Sequence, residues 1–259
     1  MKNLLCIDGG GLKGAMPAAL LAEIEEATGK RIIDHFDLIA GTSTGGIIAI
    51  GIALGIPAQR ILEFYCNEGP NVFNQADDRA LSRIHRGYMR LRHLLGAKYS
   101  SASLKRALIS VLGNQRIGDS QTRLLVPAYN SVLRGVHVIK TAHHPRFERD
   151  WKLSCVDAAL ATAAAPTYFP EHVMENDVGL IDGGVWANNP SGLAAVEAIG
   201  VLNWDKTEIK MLSLGCGDEA LRSPKSVGML GAAIDPERSI LKLMRQGQLF
   251  VSSWTAQIM

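Results

Sequence analysis

The sequence predicts an α/β fold with a mostly parallel central sheet covered by helices on both faces. Two observations carry this. Short apolar runs at residues 4–7, 36–40, 178–181 and 210–214 each end at a glycine-containing turn, which marks buried strands. Between them lie Ala- and Leu-rich stretches at helical spacing, and strands alternating with helices build parallel sheets. The 259 residues are 47% hydrophobic and 20% charged, enough apolar material for a sizeable core. We expect one domain over residues 1–259 with a helical, basic insertion at about 67–121.

Each element has its own local reason. The first strand runs into Asp8-Gly9-Gly10-Gly11, and residues 13–27 then follow a helical pattern. The second strand ends at Gly41. Residues 45–54 are apolar nearly all round, so that helix should be central and buried. Pro57 opens another helix, where proline suits the first turn. Residues 124–129 and 136–141 read as neighbouring strands. Residues 154–165 form an Ala-rich helix with Ser154 as N-cap, stopped by Pro166. A short strand reaches Asp182-Gly183-Gly184, a helix follows over 190–201, and the last strand ends at Gly215. From residue 238 the pattern is helical without a stop signal, as in a chain that continues.

Composition excludes several classes. The net charge of +2 is too near balance for a nucleic-acid polymer to be the expected partner. Cys6, Cys66, Cys155 and Cys216 are far apart and form no CxxC pair, which argues against a zinc site or a disulfide framework. The apolar run at the N-terminus is too short for a signal peptide. No segment approaches the roughly 18 apolar residues of a spanning helix. A soluble, cytoplasmic protein without metal or cofactor is expected.

Three constellations carry chemistry. Gly41-Thr42-Ser43-Thr44-Gly45 lies where a buried strand meets a buried helix. Such a turn pushes a nucleophile out of the sheet, its glycines permit the tight backbone, and the helix N-terminus favours developing negative charge. Gly9-Gly10-Gly11-Leu12-Lys13-Gly14 leaves a row of backbone N–H groups at a helix start, fit to cradle an oxyanion or a phosphate. It also matches the dinucleotide fingerprint GxGxxG, with Asp34 downstream. That acid, however, precedes the second strand rather than ending it. Asp182-Gly183-Gly184 is by itself an ordinary turn. It gains weight because all three motifs follow buried strands, whose carboxyl ends share one edge in a parallel sheet. A base must take the proton from Ser43. Of His35, His85, His93, His137, His143, His144 and His172, only His172 lies near a strand-end motif. An aspartate can act directly if burial raises its pKa toward neutrality.

In order, GGGLKG, GTSTG, ATAAAPTYFP and DGGVWANNP resemble the motifs of bacterial patatin-like phospholipases, over residues 4 to about 217 and least in the insertion. The resemblance implies a three-layer α/β/α fold and a Ser–Asp dyad without histidine or metal, with Ser43 as nucleophile and Asp182 as base. It places Gly10 and Gly11 in the oxyanion hole, supported by Gly9, Lys13, Gly14, Gly41, Gly45 and Gly183. Lys13 stands where many members have Arg, with the charge kept. Asn188-Asn189-Pro190 resembles the family's helix-start turn, a structural role.

Residues 79–106 carry Arg79, Arg83, Arg86, Arg90, Arg92, Lys98, Lys105 and Arg106 without an acid, and Leu81, Ile84, Tyr88, Leu91 and Leu95 fall at helical spacing. A basic amphipathic helix suits an anionic lipid surface; a polyphosphate or cyclic nucleotide ligand and a solvated face are the other readings. The expected function is phospholipid acyl hydrolysis at the inner membrane surface. Some bacterial relatives are antiphage effectors switched on by cyclic dinucleotides, and the resemblance extends to such an activator. A homo-oligomer is compatible with all of this. The rival functions are a phosphate-binding nucleotide-sensing module and a dinucleotide-dependent oxidoreductase.

Overall fold

The computed structural model describes residues 1–73, 99–175 and 177–217, together with Gln248, Ser252 and Ala256. Most of the basic run, from residue 79 to 98, lies outside the described residues, as does nearly all of the chain after 217.

Strands β1 (Lys2–Ile7), β2 (Leu38–Gly41), β3 (Arg123–Asn130), β4 (Gly135–Lys140), β5 (His172–Val173), β6 (Gly179–Asp182) and β7 (Ile209–Leu214) form one seven-stranded sheet. β7, β1, β2 and β3 run parallel. The other pairings, β3 with β4, β3 with β6 and β5 with β6, are antiparallel. Eight α-helices have bounds among the described residues: α1 (Ala15–Thr28), α2 (Thr44–Ala53), α3 (Ala58–Asn67), α4 (Gly69–Phe73), α5 (Ser101–Leu112), α6 (Cys155–Ala163), α7 (Gly184–Ala187) and α8 (Ser191–Val196). Both faces of the sheet are covered, and side chains alternate between them as a strand's two-residue period requires. Leu5, Ile7 and Ile39 enter the larger core with α1, α2, α3, α5 and α6. Leu4, Cys6, Leu38 and Ala40 enter the smaller one, against Ala194 of α8 and Ala198.

All ten residues of α2 are buried. It lies so close to β1 that a Cβ on Gly45 would fall 2.2 Å from the Ile7 carbonyl oxygen. Ser154 caps α6 by accepting from the N–H groups of Val156 and Asp157. α5, at the end of the segment read as an insertion, buries Leu104, Ala107, Leu108 and Leu112 in the main core. No helix among the described residues is long and apolar enough to cross a membrane.

The sheet departs from the sequence expectation at β6. The short run before Asp182 was expected to join the parallel set, but it pairs antiparallel with β3. β4 occupies one edge of β3 over residues 125–130. β2 and β6 therefore share the other edge, β2 beside residues 123–125 and β6 beside 128–130. They lie end to end, and their carboxyl ends approach each other.

α8 passes directly into a π-helical turn, Glu197–Val201. Glu197 is buried there at 2% exposure. Its carboxylate accepts from Lys140 Nζ at 2.6 Å and meets His143 Nε2 at 2.9 Å, while His143 Nδ1 meets Thr141 Oγ1 at 2.8 Å. Burial alone would raise the carboxyl pKa, but the His143 and Lys140 hydrogen bonds and charges outweigh it and hold Glu197 below its ordinary 4.5. A depressed folded pKa adds stability above the unfolded value and loses it as pH falls through the folded value. Acidification from about pH 4.5 downward should therefore destabilise the protein through this group. Glu197→Gln should cost about 3 kcal/mol at pH 7, since a buried pair loses one partner, and should remove part of that acid sensitivity. Urea melts of both proteins at pH 7 and pH 4 check this; equal stability at pH 7 would show that Glu197 adds nothing.

Candidate active site

β2 ends at Gly41 and α2 begins at Thr44. Between them Ser43 is held at φ 56°, ψ −124°, a backbone region that costs a non-glycine residue on the order of 1–3 kcal/mol. Its N–H donates to Thr162 Oγ1 at 2.9 Å, and that hydroxyl donates to the Pro127 carbonyl at 2.6 Å. Thr162 is wholly buried and joins the turn to α6 and β3. Thr42 Oγ1 donates to the Ala187 carbonyl at 2.6 Å, a second tie on the same turn.

The Ser43 hydroxyl donates to Asp182 Oδ2 at 2.6 Å. This meeting follows from the facing ends of β2 and β6. Asp182 is 5% exposed, and its other oxygen accepts from the Gly184 N–H at 2.6 Å. Its own N–H donates to the Ala164 carbonyl. The carboxylate is thus anchored by the first turn of α7 and presents one oxygen to the serine. The N-terminus of α2, directly after Ser43, adds a positive partial charge.

The glycine loop arrives from β1. Gly9 packs against Ser43, where a Cβ would stand 3.1 Å from the serine's Cβ. The Gly9 N–H donates to the Asn188 carbonyl at 3.0 Å, so it is not open toward the serine as the motif suggested. Among the described residues, the N–H groups of Gly10 and Gly11 have no hydrogen-bond partner. Gly11 adopts φ +58°, and a Cβ on Gly10 would lie 2.2 Å from the Cys216 Cβ. Thr44 Oγ1 donates to the Gly11 carbonyl at 2.8 Å, fixing the loop to α2. Gly14 packs against the Thr44 side chain, Gly41 against the Gly45 carbonyl, and Gly183 against Pro127. Lys13 follows the loop on an exposed 3₁₀ turn.

Asp34 is elsewhere, accepting from the Arg31 N–H at 3.1 Å to close its own turn. The loop therefore neighbours the serine rather than the acid that the dinucleotide fingerprint requires. Among the described histidines, His172 meets Asp157 at 3.1 Å and His143 meets Glu197; neither is bonded to Ser43. Two neighbours were not singled out in the sequence. Thr162 had a signal, as the one hydroxyl in the run Ala161-Thr162-Ala163-Ala164-Ala165. Asn188 was read only as part of a helix-start turn, yet it also donates from Nδ2 to the Gly9 carbonyl at 3.3 Å.

A hydroxyl on a strained strand–helix turn, hydrogen-bonded to a buried carboxylate and flanked by a glycine loop, is an arrangement able to supply a nucleophile, a base and oxyanion donors. The sequence profile of the patatin-like phospholipases matches residues 5–195, and the chain belongs to that family. It is 39% identical to a cGAMP-activated phospholipase of Pseudomonas aeruginosa, over 82% of this chain and 62% of that protein. It is 34% identical to a cGAMP-activated phospholipase of Vibrio cholerae, over 95% of this chain and 74% of that protein. Patatin-like protein 2 of Oryza sativa is 30% identical over 84% of this chain and 61% of that protein. The chain thus spans between three-fifths and three-quarters of the length of these relatives.

Proposed function

We propose that the chain is a lipid acyl hydrolase of the phospholipase A type, with Ser43 as nucleophile and Asp182 as base. The observation that carries this reading is the 2.6 Å hydrogen bond between their side chains at a strained turn. In the first step Asp182 takes the hydroxyl proton as Ser43 Oγ attacks the ester carbonyl carbon. The negative oxygen that forms is held by the Gly10 and Gly11 N–H groups and favoured by the α2 N-terminus. The intermediate collapses to an acyl-serine, and the proton on Asp182 passes to the departing lysolipid alkoxide. In the second step Asp182 deprotonates a water that attacks the acyl carbon, and the fatty acid leaves with Ser43 restored.

The names of the bacterial relatives extend the reading to activation by a cyclic dinucleotide, and through it to membrane degradation in antiphage defence. The basic run of residues 79–106 suits either the anionic membrane surface or that activator.

The test is labelling with a fluorophosphonate, with and without cGAMP, and location of the adduct by mass spectrometry. Modification of Ser43 together with fatty-acid release from phospholipid vesicles is expected. An unlabelled protein that releases no fatty acid in either condition would refute the reading, and nucleotide binding without hydrolysis would favour a sensing module. Within this mechanism, Gly10→Ala should lower kcat by a factor on the order of 10²–10³, the worth of one oxyanion donor. The added methyl collides with Cys216 and must displace the loop. Parental kcat in that variant, measured on p-nitrophenyl butyrate, would remove the loop from the mechanism.

A further inference from the structure

The turn that joins α7 to α8 is held from a distant part of the chain. α7 is a single turn of four residues and α8 begins at Ser191, so the backbone groups between them lie at helix ends without an internal partner. The turn is also buried, with Asn188, Asn189 and Ser191 at 2%, 5% and 1% exposure. Buried backbone groups require hydrogen-bond partners. Two side chains from the C-terminal segment supply four of them. Gln248 Nε2 donates to the Val185 carbonyl at 2.7 Å, and Gln248 Oε1 accepts from the Asn188 N–H at 3.3 Å. Ser252 Oγ donates to the Asn189 carbonyl at 2.7 Å and accepts from the Gly192 N–H at 3.1 Å. Both residues have helical backbone, and they stand four positions apart.

The same turn touches the serine site on three sides. Its first residue, Gly184, donates to Asp182 Oδ1. Ala187 accepts from Thr42, next to the nucleophile. Asn188 exchanges two hydrogen bonds with Gly9, accepting at its carbonyl and donating from Nδ2. A displacement of the turn would therefore move the base, the nucleophile's neighbour and the glycine loop together.

We propose that Gln248 and Ser252 are positioning residues for the Ser43–Asp182 pair, acting through the Gly184–Gly192 turn. They touch neither reacting group. Their four contacts act as a strut whose seating sets how well the carboxylate, the serine and the oxyanion donors are aligned. Misplacement of about 1 Å in such a constellation costs on the order of 10²-fold in rate. This inference rests on the proposed hydrolase mechanism.

The experiment compares the parent with Gln248→Met, Ser252→Ala and Ser252→Thr on p-nitrophenyl butyrate, with and without cGAMP. Methionine keeps the length of Gln248 but removes both hydrogen bonds. Threonine keeps the Ser252 hydroxyl and serves as the rescue. Enzyme concentration is normalised by fluorophosphonate titration, and all assays run well below each variant's melting temperature. The expected result is a fall in kcat of about 10- to 100-fold in Gln248→Met and Ser252→Ala with KM unchanged, and recovery to near the parental value in Ser252→Thr. Should Gln248→Met not fold, the two Ser252 variants decide. Parental kcat in the hydrogen-bond-deleting variants, a change confined to KM, or a threonine variant as slow as alanine would each overturn the strut. A parent that neither labels nor hydrolyses ester overturns the hydrolase reading instead, so the two failures are distinct.

Discussion

Replacing Ser43 by alanine should reduce ester hydrolysis by a factor on the order of 10³ or more, the cost of removing a nucleophile from a constellation that acts as a unit. The fold should survive. The Ser43 side chain is partly exposed, so its hydroxyl fills no core space and its loss leaves no cavity. Among the described residues its one side-chain hydrogen bond is to Asp182. The N–H bond to Thr162 and the carbonyl bond from Ile47 N–H belong to the backbone and remain in alanine. The variant should melt within a few degrees of the parent, fail to react with fluorophosphonate and still bind lipid vesicles as the parent does. Retention of more than a small fraction of parental kcat would assign the chemistry to another residue.

Much of this site was legible along the chain because its parts are local. A buried strand followed by Gly-x-Ser-x-Gly and an apolar helix is a pattern of neighbours, so β2, Ser43 and α2 could be read without long-range information. The same holds for β1 with its glycine turn and for Ser154 as the cap of α6. The direction of β6 was not legible. Its four residues, Gly-Leu-Ile-Asp, are equally apolar in a parallel or an antiparallel pairing. Its other neighbour, β5, has only two residues, too short to show any period. The reversal matters, because a fully parallel sheet would set Asp182 and Ser43 on adjacent strands, whereas here two strand ends face each other along one edge of β3. Hydrogen bonds between a side chain and a remote backbone leave no mark either. Thr162 holding Ser43, Asn188 holding Gly9, and Gln248 and Ser252 holding the 184–192 turn span 60 to 179 positions. Such pairs have no periodicity, and only the three-dimensional fold brings them together.

Asp182→Asn should be as inactive as Ser43→Ala, while no single histidine-to-alanine change should be. The carboxylate is oriented on both sides. One oxygen accepts the Gly184 N–H at 2.6 Å and the other accepts the Ser43 hydroxyl at 2.6 Å. An asparagine at this place has one acceptor oxygen and one NH₂ donor. With its oxygen on the Gly184 N–H, its NH₂ faces Ser43 and can take no proton. Turned the other way, it sets two N–H groups against each other at Gly184. Neither orientation leaves a base in reach, so rate is lost with little change in shape. Stability should hold or rise, because a nearly buried charge is removed and sites tuned for chemistry carry such costs. His172 is committed to Asp157, and His143 to Glu197 and Thr141, so each loss should be felt in stability before activity. The decisive measurement is kcat/KM on a short-chain ester for Asp182→Asn beside the seven histidine variants, with melting temperatures recorded for all. A histidine variant as inactive as Asp182→Asn but folded like the parent would end the two-residue mechanism, and so would an Asp182→Asn protein that keeps a tenth or more of parental kcat/KM, roughly the loss that removal of a base, worth 10²–10⁴-fold, should far exceed.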